Sequence, residues 1–116
     1  MLLSASIDRH ADGPAIVTLT GRMTLGSSLS LVESQVRAAI NGGTLKMIFD
    51  MTGVELVDSA GLGMLIQTYG SLRGRGGTLR LCGVAPRVLS LLELTNMHTI
   101  LAIDPTLAES LAALRA

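Results

Sequence analysis

Aromatic side chains are nearly missing from this sequence: Phe49 and Tyr69 are the only two. That leaves no platforms on which nucleic-acid bases could stack. Net charge is missing as well, with nine Lys and Arg against nine Asp and Glu. A neutral chain has no general positive field to draw it to DNA or RNA, so no nucleic-acid partner is expected. Cys82 is the single cysteine, which excludes an intrachain disulfide. With only His10 and His98 beside it, far apart in sequence, no metal-ligand cluster forms, and neither a metal nor a cofactor is expected. No apolar run approaches the ~18 residues that span a bilayer. Asp8, Arg9 and His10 come too early for the apolar stretch of a secretory leader, so the chain is expected in the cytoplasm.

What is present is a chain of 116 residues, nearly half of them apolar. Disorder is excluded at that composition, and the length suits one domain, residues 1–116. Leu, Ile, Val and six Met must fill the core in place of aromatics. Ala15-Ile16-Val17-Thr18-Leu19-Thr20, ending at Gly21, reads as a strand. Ser4 to Arg9 is expected to pair with it through the turn Ala11-Asp12-Gly13-Pro14. Leu29, Val32, Val36, Ala39 and Ile40 then recur at helical spacing, after Ser27 or Ser28 as N-cap and before Asn41-Gly42-Gly43. Leu45, Met47 and Phe49 alternate with Lys46, Ile48 and Asp50 as a strand does.

Leu62, Leu65, Ile66, Tyr69 and Leu72 mark a helix face that Gly74-Arg75-Gly76-Gly77 closes. Leu79 and Leu81 alternate in a further strand with Thr78, Arg80 and Cys82. Pro86 opens a short helix carrying Val88, Leu91 and Leu92. Ile100 to Ile103 reads as a short strand, and Asp104-Pro105 or the capping box Thr106-x-x-Glu109 opens a last helix. The order β-β-α-β-α-β-α-β-α predicts an α/β fold: a mostly parallel sheet with helices packed on it and one antiparallel opening pair.

In such sheets function gathers where the end of a strand feeds a helix. Here that place is Val57 through Gly63, the segment Asp58-Ser59-Ala60-Gly61-Leu62-Gly63. Asp58 and Ser59 are both good N-caps, and either can cap the helix. Gly61 and Gly63 in its first turn each cost up to ~1 kcal/mol relative to Ala. A sequence selected for helix stability alone avoids such a pair. Bare backbone there lets a neighbouring loop or a partner protein come close. Leu62 and Met64 are expected to stand out beside them as apolar contacts. The first turn also offers free N–H groups to an anion such as phosphate.

Asp58-Ser59-Ala60-Gly61-Leu62-Gly63 resembles the signature of STAS domains, which include the bacterial anti-sigma factor antagonists. Leu19-Thr20-Gly21 resembles the end of that family's second strand, and Met47-Ile48-Phe49-Asp50 the strand before its motif. Arg75-Gly76-Gly77-Thr78-Leu79 resembles the turn after its motif helix, so the resemblance spans roughly residues 5 to 112. It implies a switch without catalytic activity of its own. An anti-sigma factor kinase phosphorylates Ser59, the unphosphorylated form binds the anti-sigma factor and frees the sigma factor, and a phosphatase resets the state. The binding surface implied is Asp58, Ser59, Ala60, Gly61, Leu62, Gly63 and Met64, with Thr24 from a nearby loop. Thr24 departs from the family, where many members carry Asp three residues after the strand-ending Gly.

Two other readings compete. A Ser59 nucleophile would need Gly-x-Ser-x-Gly, but Val57 stands at the upstream glycine position. It would also need a general base, for which only His10 and His98 are candidates. Arg73, Arg75 and Arg80 around the glycine turn could hold a phosphate, but a loop after a helix has the wrong polarity for an anion. The other reading is a STAS subunit of a lipid-transport or stress-sensor complex, in which the same surface holds a partner constitutively.

Overall fold

The computed structural model describes residues 2–9 and 13–115. Its elements follow the predicted order. Strand β1 (Ser4–Arg9) and strand β2 (Ala15–Met23) precede helix α1 (Ser27–Asn41) and strand β3 (Lys46–Val57). Helix α2 (Ser59–Arg73), strand β4 (Thr78–Cys82), helix α3 (Pro86–Leu94), a 3-10 turn over Met97–Thr99, strand β5 (Ala102–Asp104) and helix α4 (Leu107–Arg115) complete it. The five strands lie in the order β1-β2-β3-β4-β5. β1 pairs with β2 antiparallel, and every other pairing is parallel. This is the mixed α/β sheet expected. Part of the turn expected between β1 and β2, Ala11 and Asp12, lies outside the described residues.

One contiguous core holds Val17 and Leu19 of β2, Met47 and Phe49 of β3, and Leu79 and Leu81 of β4. It also takes Val32 and Val36 of α1, Leu65 and Leu72 of α2, and Val88 and Leu92 of α3. Side chains alternate across a strand, so Ile48 and Cys82 point the other way, yet both are buried too. There α4 packs on β3, β4 and β5. This corrects the alternation expected for β3. Leu45 lies outside the strand and is exposed, while Ile48 is buried, because a central parallel strand is covered on both faces.

A polar cluster fastens α4. Ser110, fully buried, donates from Oγ to Asp104 Oδ2 at 2.6 Å. Arg80 grips the same carboxylate with two hydrogen bonds, Nε to Oδ2 at 2.7 Å and Nη2 to Oδ1 at 3.0 Å. A fork of this kind is the strong form of ion pair. The Arg80 guanidinium, and then the Ser110 hydroxyl, hold the Asp104 carboxyl below its ordinary range, against the opposing pull of burial. A carboxyl lowered by folding stabilises the fold fully above its unfolded pKa and loses that contribution as pH falls through its folded value. Urea midpoints are therefore expected to fall as pH drops below about 5, where an unfolded Asp begins to protonate. Asp104→Asn should flatten that drop; an equally steep acid loss in the variant would place its origin elsewhere.

Three local expectations need correction. Helix α1 is capped by Gly26, without a side-chain cap, and neither Ser27 nor Ser28 fills that role. Ser28 Oγ instead accepts the Leu3 N–H at 3.2 Å, a tie between chain segments that local pattern cannot show. The buried stripe of α2 is Gly61, Met64, Leu65, Thr68 and Leu72. Leu62, Ile66 and Tyr69, on the expected face, are half-buried and pack against the core beside that stripe. The last strand is Ala102–Asp104, and Ile100 is exposed before it. Pro86 does open α3, and Thr106 Oγ1 accepts the Glu109 N–H at 3.2 Å ahead of α4.

Candidate functional site

The end of β3 runs beside the end of β2, with Met23 opposite Val57. Two connections therefore emerge side by side: the loop from β2 into α1, and the abrupt entry from β3 into α2. Asp58 joins them. It is the N-cap of α2, in extended conformation, and its Oδ1 accepts the Gly61 N–H at 2.9 Å. Its backbone carbonyl accepts the Leu62 N–H at 2.9 Å. Its other carboxylate oxygen, Oδ2, accepts the Leu25 N–H at 2.9 Å, and its own N–H donates to Met23 O at 3.2 Å. The Leu25 N–H first, and the Gly61 N–H second, hold the Asp58 carboxyl below its ordinary range. It is an anion at neutral pH, seated at the positive end of α2.

That answers which of the two candidate residues caps the helix. Asp58 does, and Ser59 is the first helical residue, exposed, with no hydrogen-bond partner for its hydroxyl among the described residues. The first turn is also less open to an added anion than expected, since the Asp58 carboxylate already takes the Gly61 N–H and the Asp58 N–H goes to Met23 O.

The two glycines differ. A Cβ on Gly61 would overlap the carbonyl oxygen of Met23, so this glycine serves the contact between α2 and β2 inside the chain. A Cβ on Gly63 would meet nothing, and Gly63 is exposed. Its bare backbone has no packing reason within the described residues. Ala60 and Leu62 are half-buried. Met64, expected to stand out, is only 1% exposed: three residues after Gly61 it falls on the stripe turned to the core. As an exposed contact Met64 is withdrawn. Thr24 is half-buried in the β2–α1 loop.

Pattern reading missed Leu25. It follows Thr24 at the tip of that loop and is 83% exposed. The signal was present, a large apolar residue between Thr24 and Gly26 in a strand-to-helix loop, but only the fold brings it beside Asp58.

The other candidates lie apart from the site and have local work. Arg75 donates to Ile40 O at 3.0 Å and to Asn41 Oδ1 at 2.9 Å, which closes the end of α1. Arg73 lies over the Tyr69 ring and donates to its hydroxyl at 3.0 Å, and Arg80 holds Asp104. His98 is exposed at the 3-10 turn, and His10 lies outside the described residues. Cys82 is buried, and its thiol is pushed up to about 11, first by desolvation and then by the charge of Asp50. It is a core residue at neutral pH and not a thiolate. Among the described residues no group of three His, Cys, Asp or Glu could hold a metal ion, and no helix is long and apolar enough to cross a membrane.

The family model described as STAS domain matches residues 6–110. Over 95 residues the chain is 28% identical to the anti-sigma F factor antagonist of Paenibacillus polymyxa, covering 81% of this chain and 80% of that protein. Over 88 residues it is 29% identical to the anti-sigma-B factor antagonist of Bacillus subtilis (strain 168), covering 76% and 79%. Among solved structures, an anti-sigma factor antagonist from Mycobacterium paratuberculosis superposes with a TM-score of 0.85 at 23% identity, over 98% of this chain and 95% of the other. The Bacillus cell fate determinant SpoIIAA in its phosphorylated form superposes with a TM-score of 0.75 at 13% identity, over 96% and 99%. At such identities the structural likenesses establish a shared fold.

Proposed function

The chain belongs to the STAS domain family, and from that membership we propose that it is an anti-sigma factor antagonist switched by phosphorylation of Ser59. In this reading residues 1–116 act as one non-catalytic domain in the cytoplasm. The unphosphorylated chain binds an anti-sigma factor that is itself a serine kinase, and so releases a sigma factor for transcription. The kinase phosphorylates Ser59 and ends binding, and a phosphatase restores it.

The observation that carries the proposal is the division of labour between Asp58 and Ser59. Asp58 makes the helix cap and the loop contact. Ser59, next to it, is exposed with no hydrogen-bond partner among the described residues, so its hydroxyl is available without cost to the fold. An enzyme nucleophile needs a base within hydrogen-bond reach, and among the described residues Ser59 has no such contact. A kinase substrate needs only accessibility. The partner-binding residues proposed are Asp58, Ser59, Ala60, Leu62 and Gly63, with Thr24 alongside and Gly61 shaping the surface from within.

The test is incubation with the cognate kinase and ATP, followed by mass-spectrometric mapping. Phosphate is expected at Ser59. Thr68 should stay unmodified because it is buried and donates to Met64 O at 2.8 Å. Ser71 is exposed but lies inside regular helix, three turns on at about 3.6 residues per turn. Phosphate mainly at Thr24 or Ser71 would reject the assignment.

A further inference from the structure

Leu25, at 83% one of the most exposed large apolar side chains, lies at the end of the sheet where β3 enters α2. It is in the β2–α1 loop. A single exposed leucine is ordinary in a soluble domain. The backbone of Leu25 is not ordinary for a loop tip. Its N–H is held by the Asp58 carboxylate, and Met23, two residues earlier, accepts the Asp58 N–H. On its other side the Gly26 carbonyl accepts the Ser30 N–H at 3.2 Å and the Ser30 hydroxyl at 3.3 Å. The side chain is presented to solvent while its backbone is pinned at both ends. A charge-assisted hydrogen bond spent on a loop that buries no side chain contributes little to the core. It does remove the ordering cost that a flexible loop would incur on binding.

We propose that Leu25 is the apolar anchor of the partner-binding surface, received by an apolar pocket on the anti-sigma factor, and that Asp58 is its positioning residue. The inference rests on the reading of the chain as an anti-sigma factor antagonist and names the chemistry its partner must offer. The anchor is continuous with the switch: the carboxylate that pins Leu25 belongs to the residue directly before Ser59. One surface thus runs from the Leu25 side chain across Asp58 to Ser59 and the bare backbone of Gly63. Thr24, next to Leu25, is half-buried.

Asp58→Asn separates the two duties of the carboxylate. Asn is as good an N-cap as Asp, so its amide oxygen keeps the Gly61 contact. Its amide nitrogen cannot accept the Leu25 N–H. Hydrogen exchange in the free protein should therefore show the Leu25 amide exchanging on the order of tenfold faster or more, with the Gly61 amide unchanged. Calorimetric titration with the anti-sigma factor should show Leu25→Ala binding about 10- to 100-fold more weakly at an unchanged melting temperature, the range of an interface anchor. Asp58→Asn should weaken binding about tenfold in the wild-type background, and less than about twofold once Leu25→Ala is present. A merely structural Asp58 would cost the same in both backgrounds.

An unchanged Leu25 amide in Asp58→Asn overturns the positioning role, and that measurement needs no partner. Wild-type binding with Leu25→Ala equally tight overturns the anchor while leaving the antagonist reading intact. No binding by the wild type overturns the antagonist reading, and the anchor with it. A dimeric wild type made monomeric by Leu25→Ala, with partner binding unaffected, assigns Leu25 to a second copy of the chain and also overturns the proposal.

Discussion

Phosphorylated at Ser59, the protein is expected to bind its anti-sigma factor more than a hundredfold more weakly than the unmodified form, with almost no change in melting temperature. A phosphoserine brings about −1.5 to −2 charges at neutral pH. The surface it enters already carries the ionised Asp58, and around it are the half-buried Ala60 and Leu62 and the bare Gly63. A close-fitting contact over such groups cannot solvate a second anion, and charges placed without partners in an interface cost several kcal/mol. A loss of ~3 kcal/mol at ~1.4 kcal/mol per decade gives the expected factor. Inside the folded domain the same charge sits at the start of α2, where the helix dipole tolerates it.

Ser59→Asp should imitate the effect in part, since it brings one charge in a smaller volume. Ser59→Ala should bind like the wild type and resist the kinase. Because Asp58 and not Ser59 caps α2, the alanine should melt within a degree or two of wild type; had Ser59 been the cap, the loss would have been about 1 kcal/mol. Titration of the anti-sigma factor with the Ala, Asp and phosphorylated forms, alongside thermal melts, reads both quantities. Equal affinity for the Ala and Asp forms would count heavily against a charge switch. A large fall in melting temperature for the Asp form would point to refolding.

The second large effect separates the two glycines of the motif. Gly61→Ala is expected to destabilise the fold by roughly 2–3 kcal/mol, in the range of an overpacked core. The new methyl would overlap the Met23 carbonyl oxygen, which also accepts the Asp58 N–H. Neither backbone can swing aside alone, so α2 must lift from β2, and the helix propensity gained, at most ~1 kcal/mol, does not offset that. The melting temperature should fall by on the order of 10 °C. Gly63→Ala should do the reverse, because its methyl meets nothing and the helix gains up to ~1 kcal/mol. The melting temperature should rise by a few degrees while anti-sigma factor binding weakens severalfold. If Gly63→Ala stabilises the chain and leaves affinity untouched, the outer face of α2 is not part of the interface.

The positions of the strands and helices were legible in the sequence wherever one period dominated a segment. Leu29, Val32, Val36, Ala39 and Ile40 repeat at helical spacing and are all buried on α1. Leu79 and Leu81 alternate and are buried on β4. Reading failed where two faces of an element are covered at once. Ile48 looked like an outward residue of β3 until α4 was found on that side. It failed again where a neighbour far along the chain sets the geometry. Gly61 lies against the Met23 carbonyl, on the same buried stripe as Met64, and no helical count contains that contact.

For the site, the sequence by itself determined that a strand feeds a helix within Val57 through Gly63, that Asp58 or Ser59 caps that helix, and that two unusual glycines stand in its first turn. Those are properties of local propensity, which acts within a few residues. Only the tertiary structure decided that Asp58 takes the cap and Ser59 is left without a partner among the described residues, that Gly61 faces inward and Gly63 outward, and that Leu25 stands at the same place. Asp58 has two carboxylate oxygens, and the partner of the second lies 33 residues away in sequence. A hydrogen bond between two loops exists only once β2 and β3 have paired, because the sheet register puts Met23 beside Val57. The motif names the residues, and the strand pairing assigns their work.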